Sequence, residues 1–262
     1  IAALTAGFGL LLTACTASVG DSTTTTAPPP ATTGVTSDPS TFEGVVEASF
    51  RILVERYPEL VTDLGLHETY NTRADELDDL SAAHALASSD LITETLEALR
   101  GHELSDLSPS ERLTYESYEW NLETWQRDIE FRLHDWPVHF LLTSYNQGVI
   151  GLFTQTHPLS NRNQIEDYLA RVEKIPTQVD QVLTWMDDSV DAGVLPPGYV
   201  IDITLNQLAA DTAGGSAERT AIFASFSERI GELGLNRATV DAYRARAAEL
   251  IESAFIPSGE RL

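Results

Sequence analysis

The chain has 262 residues and a mass of 28.6 kDa, enough to bury a sizeable core, and 42% of its residues are hydrophobic. Its 40 acidic and 16 basic residues give a formal net charge of −24 at pH 7. A field of that sign repels phosphate groups, so the composition argues against a nucleic-acid partner.

The first 15 residues resemble a bacterial export signal. Residues 1–14 carry no charge and are mostly apolar, and this run is shorter than the roughly 20 residues of a membrane-spanning helix. It ends in Leu12-Thr13-Ala14-Cys15, which is similar to the lipobox of bacterial lipoproteins. We predict a lipoprotein signal peptide over 1–15 with lipidation of Cys15, so that the exported protein is anchored to a membrane of the cell envelope. The alternative is an unmodified cysteine.

Residues 16–40 are dominated by Thr, Ser, Pro and Gly and show no apolar periodicity. Such a segment cannot bury enough surface to offset chain entropy, so we predict a disordered linker. A helical domain is expected to occupy 41–262. The only methionine is Met186, and the sequence stops at Leu262 directly after a helical pattern. We therefore expect a fragment, with its helical domain truncated at the C-terminal end.

Apolar residues recur every three or four positions through most of the chain from Phe42 onward, which is typical of amphipathic helices. The predicted helices span residues 42–57, 81–100, 108–136, 161–192, 216–233 and 237–255. No alternating strand pattern with a hairpin turn is found, so we predict a mostly α fold with an irregular region at 134–160.

Three local signals refine these helices. In Ser108-Pro109-Ser110-Glu111 the first serine can cap a helix, proline suits its first turn, and the glutamate completes a capping box. Asn236 is a natural cap for the last predicted helix. Pro176 lies inside the helix predicted at 161–192 and is expected to break or kink it.

The residues that could carry chemistry form no recognisable catalytic pattern. No histidine lies in a His-Glu-x-x-His arrangement, and no nucleophile elbow or phosphate-binding loop is found, so we assign neither a catalytic nor a metal-ligating residue. The histidines are expected to lie at the surface or at helix caps; they are His67, His84, His102, His134, His139 and His157. The adjacent pairs Asp78-Asp79 and Asp187-Asp188 are expected to be solvated charges, because helical neighbours point in different directions.

The most unusual segment is a polar cluster, Tyr145-Asn146-Gln147, that lies between apolar residues and Gly148. Side-chain amides in an apolar setting can bind a peptide backbone, because each offers donors and an acceptor. We therefore predict substrate binding by Tyr145, Asn146 and Gln147. The alternative is that these side chains satisfy buried backbone groups of the loop.

The order of several short motifs resembles the N-terminal half of the bacterial "domain of unknown function 885" family, over about residues 42–256. The motifs, in chain order, are Tyr57-Pro58, Thr62-Asp63-Leu64-Gly65, Leu107-Ser108-Pro109, Pro137, Asn146-Gln147-Gly148, Asp167-Tyr168-Leu169-Ala170-Arg171-Val172, Ile175-Pro176, Asp180-Gln181, Asp191-Ala192-Gly193 and Pro196-Pro197.

The resemblance implies a larger α-helical, zincin-like domain whose zinc and catalytic residues lie in a C-terminal half outside this sequence. The family's metal motif is a His-Glu pair followed shortly by Pro-Gly-His, and neither His67-Glu68 nor His102-Glu103 has that continuation. The resulting hypothesis is the scaffold and substrate-cleft part of an envelope zinc metallopeptidase-like hydrolase that acts on peptides. The alternative is a non-catalytic helical binding lipoprotein.

Overall fold

The computed structural model describes residues 38, 40–141, 144–212 and 214–262. The predicted signal peptide, Cys15 and all of the predicted linker except Asp38 and Ser40 lie outside the described residues. Regular structure in the described part is helical and includes no strand, which confirms the predicted mostly α fold. None of the described helices is long and apolar enough to span a membrane.

The α-helices, in chain order, are α1 (Phe42–Arg56), α2 (Pro58–Asp63), α3 (His67–Tyr70), α4 (Ala82–Arg100), α5 (Pro109–Asp128), α6 (Tyr145–Gly151), α7 (Arg162–Asp191), α8 (Gly198–Asp211), α9 (Ala221–Gly231), α10 (Arg237–Leu250) and α11 (Ile256–Arg261). Short 3-10 turns occur at Leu104–Asp106, Ile129–His134 and Ala217–Arg219, and π turns occur at Leu152–Thr156 and Ile251–Phe255.

The chain divides into two compact units. Of the described residues, the first comprises those up to Ile52 together with Ser88–Ile129, and the second comprises those in Leu53–Ala87 and Glu130–Leu262. In the first unit, helical segments pack through aromatic and polar contacts. The Phe42 ring stacks on Tyr115 with centroids 6.3 Å apart, and the Tyr118 hydroxyl donates to the Ser49 hydroxyl oxygen at 2.7 Å.

Helix α7 lies at the centre of the second unit, because one side of it is apolar along most of its length. Tyr168 is fully buried there, and its ring contacts the rings of Phe153 and Phe226 at centroid distances of 4.9 and 4.8 Å. The Tyr168 hydroxyl donates to the backbone carbonyl of Ile222 at 3.2 Å. This core fixes the position of α7 against α9 and the π turn at Leu152–Thr156.

The predicted helix starts are confirmed. The Ser108 hydroxyl accepts from the Glu111 backbone N–H, and a Glu111 carboxylate oxygen accepts from the Ser108 N–H at 2.8 Å, so the capping box is complete. The Asn236 side-chain oxygen accepts from the Thr239 N–H at 2.9 Å. Each cap satisfies donors that the first helical turn would otherwise leave unpaired.

The helices differ from the prediction in three places. Helix α7, predicted to break or kink at Pro176, is not broken there and continues to Asp191, because buried residues on both sides of the proline hold the two halves in one packed stripe. The region predicted to be irregular, 134–160, contains α6 and a π turn. Helix α8 was not predicted, because its apolar residues do not follow a single stripe.

Candidate functional site

The polar cluster predicted from the sequence forms the first turn of α6. Ser144 precedes the helix in an extended conformation, and the backbone N–H of Tyr145 donates to the carbonyl oxygen of Pro137 at 2.8 Å. Successive helical residues point about 100° apart, so the three side chains of this turn do not all face the same way. Tyr145 and Asn146 line one cavity, whereas Gln147 lies outside it.

Asn146 is buried, with 5% of its surface exposed, and neither its amide nitrogen nor its amide oxygen has a hydrogen-bond partner among the described residues. Buried amides in folded proteins are normally hydrogen-bonded, and an unpaired one costs about 1–3 kcal/mol. The alternative role of satisfying loop backbone has no hydrogen bond to support it within the described part of the chain. Asn146 instead offers a free donor and a free acceptor to a ligand.

Tyr145 and Asn146 both line a small cavity of about 20 Å³, roughly the space that one water molecule requires. Most of its wall is apolar and comes from α6, α7, α8 and the segment before α11; it includes Val149, Ile150, Ile175, Val179, Leu208 and Phe255. The polar part of the wall adds Asp211, Thr212 and Ser258. A mostly apolar wall with a few polar groups on one side is the kind of lining that ligand pockets have, but this cavity is the size of one water molecule.

Close packing at Gly259 brings Thr212 and Ser258 together in the polar part of the cavity wall. A Cβ atom at this position would lie 2.7 Å from the Thr212 methyl carbon, so any side chain would push α11 away from the end of α8. Gln147 does not line the cavity, but its amide nitrogen lies 3.5 Å from a carboxylate oxygen of Asp211. Gln147 thus contacts the cavity wall from outside.

Burial alters the acidity of two groups in this wall. The pKa of Asp211 is raised because its carboxylate is partly withdrawn from water. Burial, with a smaller contribution from the charge of Glu59, raises the pKa of Tyr145, so its hydroxyl keeps its proton. That hydroxyl has no partner among the described residues and can donate to a ligand.

A second buried polar group, the guanidinium of Arg171, has a hydrogen-bond partner for each of its three nitrogens. It donates from Nε to the carbonyl oxygen of Glu76 at 2.8 Å and from Nη2 to the Thr62 hydroxyl oxygen at 2.6 Å. It also donates to the carbonyl oxygen of Pro58 at 3.2 Å and to Nδ1 of His157 at 3.1 Å. These bonds connect α7 to α2, to the chain before α4 and to the end of the π turn.

His157 corrects the expectation that the histidines lie at the surface or at helix caps, since it is fully buried. Because a guanidinium only donates, Nδ1 of His157 accepts from Arg171 and Nε2 carries the proton, which it donates to the carbonyl oxygen of Gln164 at 3.0 Å. Burial lowers the pKa of His157 to about 3, and the nearby Arg171 charge acts in the same direction. The ring is therefore a neutral structural element.

Asp78 corrects a further expectation, because it is buried rather than solvated. Its carboxylate accepts from the Glu59 N–H at 3.0 Å, and the Glu59 carboxylate accepts from the Asp78 N–H at 3.0 Å. The amide nitrogen of Gln178 donates to Glu59 at 2.8 Å. Burial and the neighbouring Glu59 charge raise the pKa of Asp78. The sequence gives no sign of this pairing, which joins residues 19 positions apart.

The described residues do not fit a zinc site. No three His, Cys, Asp or Glu side chains in this part of the chain converge closely enough to hold a metal ion. The sequence also gave no indication of the wall residues Asp211, Thr212 and Ser258, which reach the cavity only through tertiary packing.

Comparison with known proteins relates the chain to one family and to solved structures of similar fold. A family model described as "Bacterial protein of unknown function (DUF885)" matches residues 58–262. The fold is similar to the crystal structure of "the putative lipoprotein from Colwellia psychrerythraea", with a TM-score of 0.71 and 11% sequence identity over 84% of this chain. The chain covers 40% of that solved protein. No curated protein shows significant sequence similarity to the chain.

Proposed function

The chain belongs to the DUF885 family of bacterial proteins, and on that premise we propose that it forms the substrate-cleft part of an exported, peptidase-like hydrolase. The chain covers 40% of the similar solved structure, so the proposal assigns the catalytic machinery to the rest of the complete protein. In a zinc hydrolase the metal activates water for attack on the peptide carbonyl. The described residues here do not fit that metal, and none is assigned a bond-breaking role.

The observation that carries the proposal is the unpaired amide of Asn146 beside an apolar cavity. A peptide group offers one N–H and one C=O, and a carboxamide can accept from the first with Oδ1 and donate to the second with Nδ2. The Tyr145 hydroxyl supplies a further donor at the same wall. Apolar residues of α6, α7 and α8 line the same wall, and the polar groups would fix the direction of a bound peptide.

The test uses the full-length protein encoded by the gene, purified and assayed for zinc content and for cleavage of a mixed peptide library. We expect one zinc ion per chain and peptide cleavage. The Asn146→Leu variant should raise KM by roughly three- to tenfold with kcat little changed, because one neutral hydrogen bond to bound substrate is lost. Asn121→Leu, a buried asparagine of α5 that does not line the cavity, is the matched control and should leave KM unchanged.

The competing function is a non-catalytic helical binding lipoprotein; the similar solved structure is described as a putative lipoprotein. The two candidates give different outcomes in the same assay. A full-length protein that holds no zinc, cleaves no peptide and still binds peptides in an Asn146-dependent manner would establish the binder and contradict the hydrolase.

We also propose that Cys15 is lipidated and anchors the protein to the cell envelope, based on the lipobox-like Leu12-Thr13-Ala14-Cys15. Acyl chains stabilise membrane association by about 0.8 kcal/mol for each buried methylene. Cys15→Ser should therefore move the protein from the membrane fraction to the soluble fraction of a bacterial expression host. Unchanged fractionation would contradict lipid anchoring.

A further inference from the structure

Helix α8 is unusually poor in charge for a chain with 40 acidic and 16 basic residues. Its 14 residues include two charged ones, Asp202 and Asp211, and no basic one. Its buried residues are spaced four apart and form one narrow seam that faces the rest of the second unit; they are Val200, Thr204 and Leu208. A helix with so narrow a buried seam would ordinarily carry charged residues on the rest of its surface.

The surface beside this seam is apolar on both sides instead. At about 100° per residue, Ile201 and Leu205 lie on one side of the seam, and Tyr199 and Ile203 lie on the other. All four side chains are exposed, Tyr199 to 64% of its surface. The exposed polar residues of the helix, Asp202 and Asn206, lie on a strip opposite the seam. We define these four side chains as the α8 flanks.

A helix whose apolar surface extends well beyond its buried seam is typical of the interior of a larger protein. Fourteen residues extend about 21 Å, which is shorter than the roughly 30 Å hydrocarbon core of a bilayer, so α8 is not a membrane-spanning helix. The flanks are also more contiguous than the single exposed apolar residues that occur on most protein surfaces.

We infer that α8 is an interior helix of the complete family fold, with its flanks covered by the polypeptide that makes up the remainder of that fold. The choice of occupant follows from the structural match. The match covers 84% of this chain but only 40% of the solved protein. The solved protein of this fold therefore contains further polypeptide beyond the matched part. We infer that the corresponding polypeptide of this protein covers the α8 flanks. The inference rests on the fold and not on peptidase activity, so loss of the proposed hydrolysis would leave it standing.

Hydroxyl-radical footprinting of the full-length protein tests this inference. The labelling rate of Tyr199 in the native protein is compared with its rate in the same protein unfolded in urea. Trp120 of α5 is the reference, because 63% of its surface is exposed and it plays no part in the inference. We expect Tyr199 to be labelled several-fold more slowly in the native protein than in the unfolded one, independently of protein concentration and of lipid.

Four outcomes would overturn the inference. A gene that ends at Leu262 would leave no polypeptide to cover the flanks, and native labelling of Tyr199 at the unfolded rate would show them exposed. Protection that disappears on dilution would identify a second copy of the chain as the occupant. Protection that appears only with vesicles of phosphatidylethanolamine and phosphatidylglycerol would identify a membrane surface.

Discussion

Arg171 and Asn146 are both buried polar side chains of the second unit, and they differ completely in their hydrogen bonding. The guanidinium of Arg171 donates to four partners, whereas the Asn146 amide has none among the described residues. Because a buried polar group without a partner is costly, the two arrangements have different explanations. The bonds of Arg171 are made within the fold and serve stability, whereas the proposed function assigns the Asn146 amide to a bound peptide.

The largest expected effect is the loss of stability on replacing Arg171. Arg171→Met leaves the Thr62 hydroxyl, Nδ1 of His157 and two backbone carbonyls without their shared donor, and we expect a loss of about 3–5 kcal/mol in the free energy of unfolding. Urea denaturation followed by circular dichroism measures this loss.

Arg246→Met is the matched control for that experiment. Arg246 forms an exposed pair with Glu166 at 3.0 Å, worth about 0–1 kcal/mol, and its removal changes the net charge by the same amount. Equal destabilisation by the two substitutions would show that the loss comes from net charge and not from the buried network.

The next effect in size is a pH dependence from His157 in the same network. Its pKa is about 3 in the folded protein, whereas an unfolded histidine takes up a proton near 6.5. Between these values the unfolded state binds the extra proton, so stability falls as pH decreases from about 6.5 to about 3. For one proton the slope is about 1.4 kcal/mol per pH unit.

Buried Asp78 acts in the opposite direction, because its raised pKa lets the folded state keep a proton that the unfolded state has lost. The His157→Gln variant isolates the histidine, since glutamine can accept from Arg171 and donate to Gln164 without titrating, and Asp78 is unchanged. Unfolding free energies measured from pH 7 to pH 4 should diverge between wild type and variant. Parallel curves would mean that His157 does not titrate between the two states.

The difference between the two regions also explains which features could be predicted from the sequence and which could not. Helices such as α1 and α5 were predicted because their apolar spacing and caps are local signals, and Asn146 was noticed because it interrupts an apolar run. The Arg171 network was not predictable, because its partners lie far away in sequence: Glu76 is 95 residues distant. The wall residue Asp211 was missed with α8, whose apolar residues lie on several sides and give no single helical stripe.

The smallest expected change in stability is that of Asn146→Leu, which directly tests the contrast between Asn146 and Arg171. Asn146→Leu replaces an unpaired buried amide with an apolar group of similar size, so the free energy of unfolding should stay unchanged or rise by up to about 1 kcal/mol. The matched control is Asn121→Leu, at an asparagine 9% exposed whose amide nitrogen donates to the carbonyl oxygen of Ser117 at 2.9 Å. That substitution should cost about 1 kcal/mol, because it removes a formed hydrogen bond.

Both variants are compared with wild type by urea denaturation in the absence of peptide. If Asn146→Leu destabilises the protein as much as Asn121→Leu does, the Asn146 amide is already bonded within the folded chain, and the argument that it awaits a ligand fails. If stability is kept while peptide binding is lost, the amide is maintained for binding at a cost to the fold. That result would show that the two buried polar regions have different roles. Arg171 would contribute to stability, and Asn146 would contribute to binding.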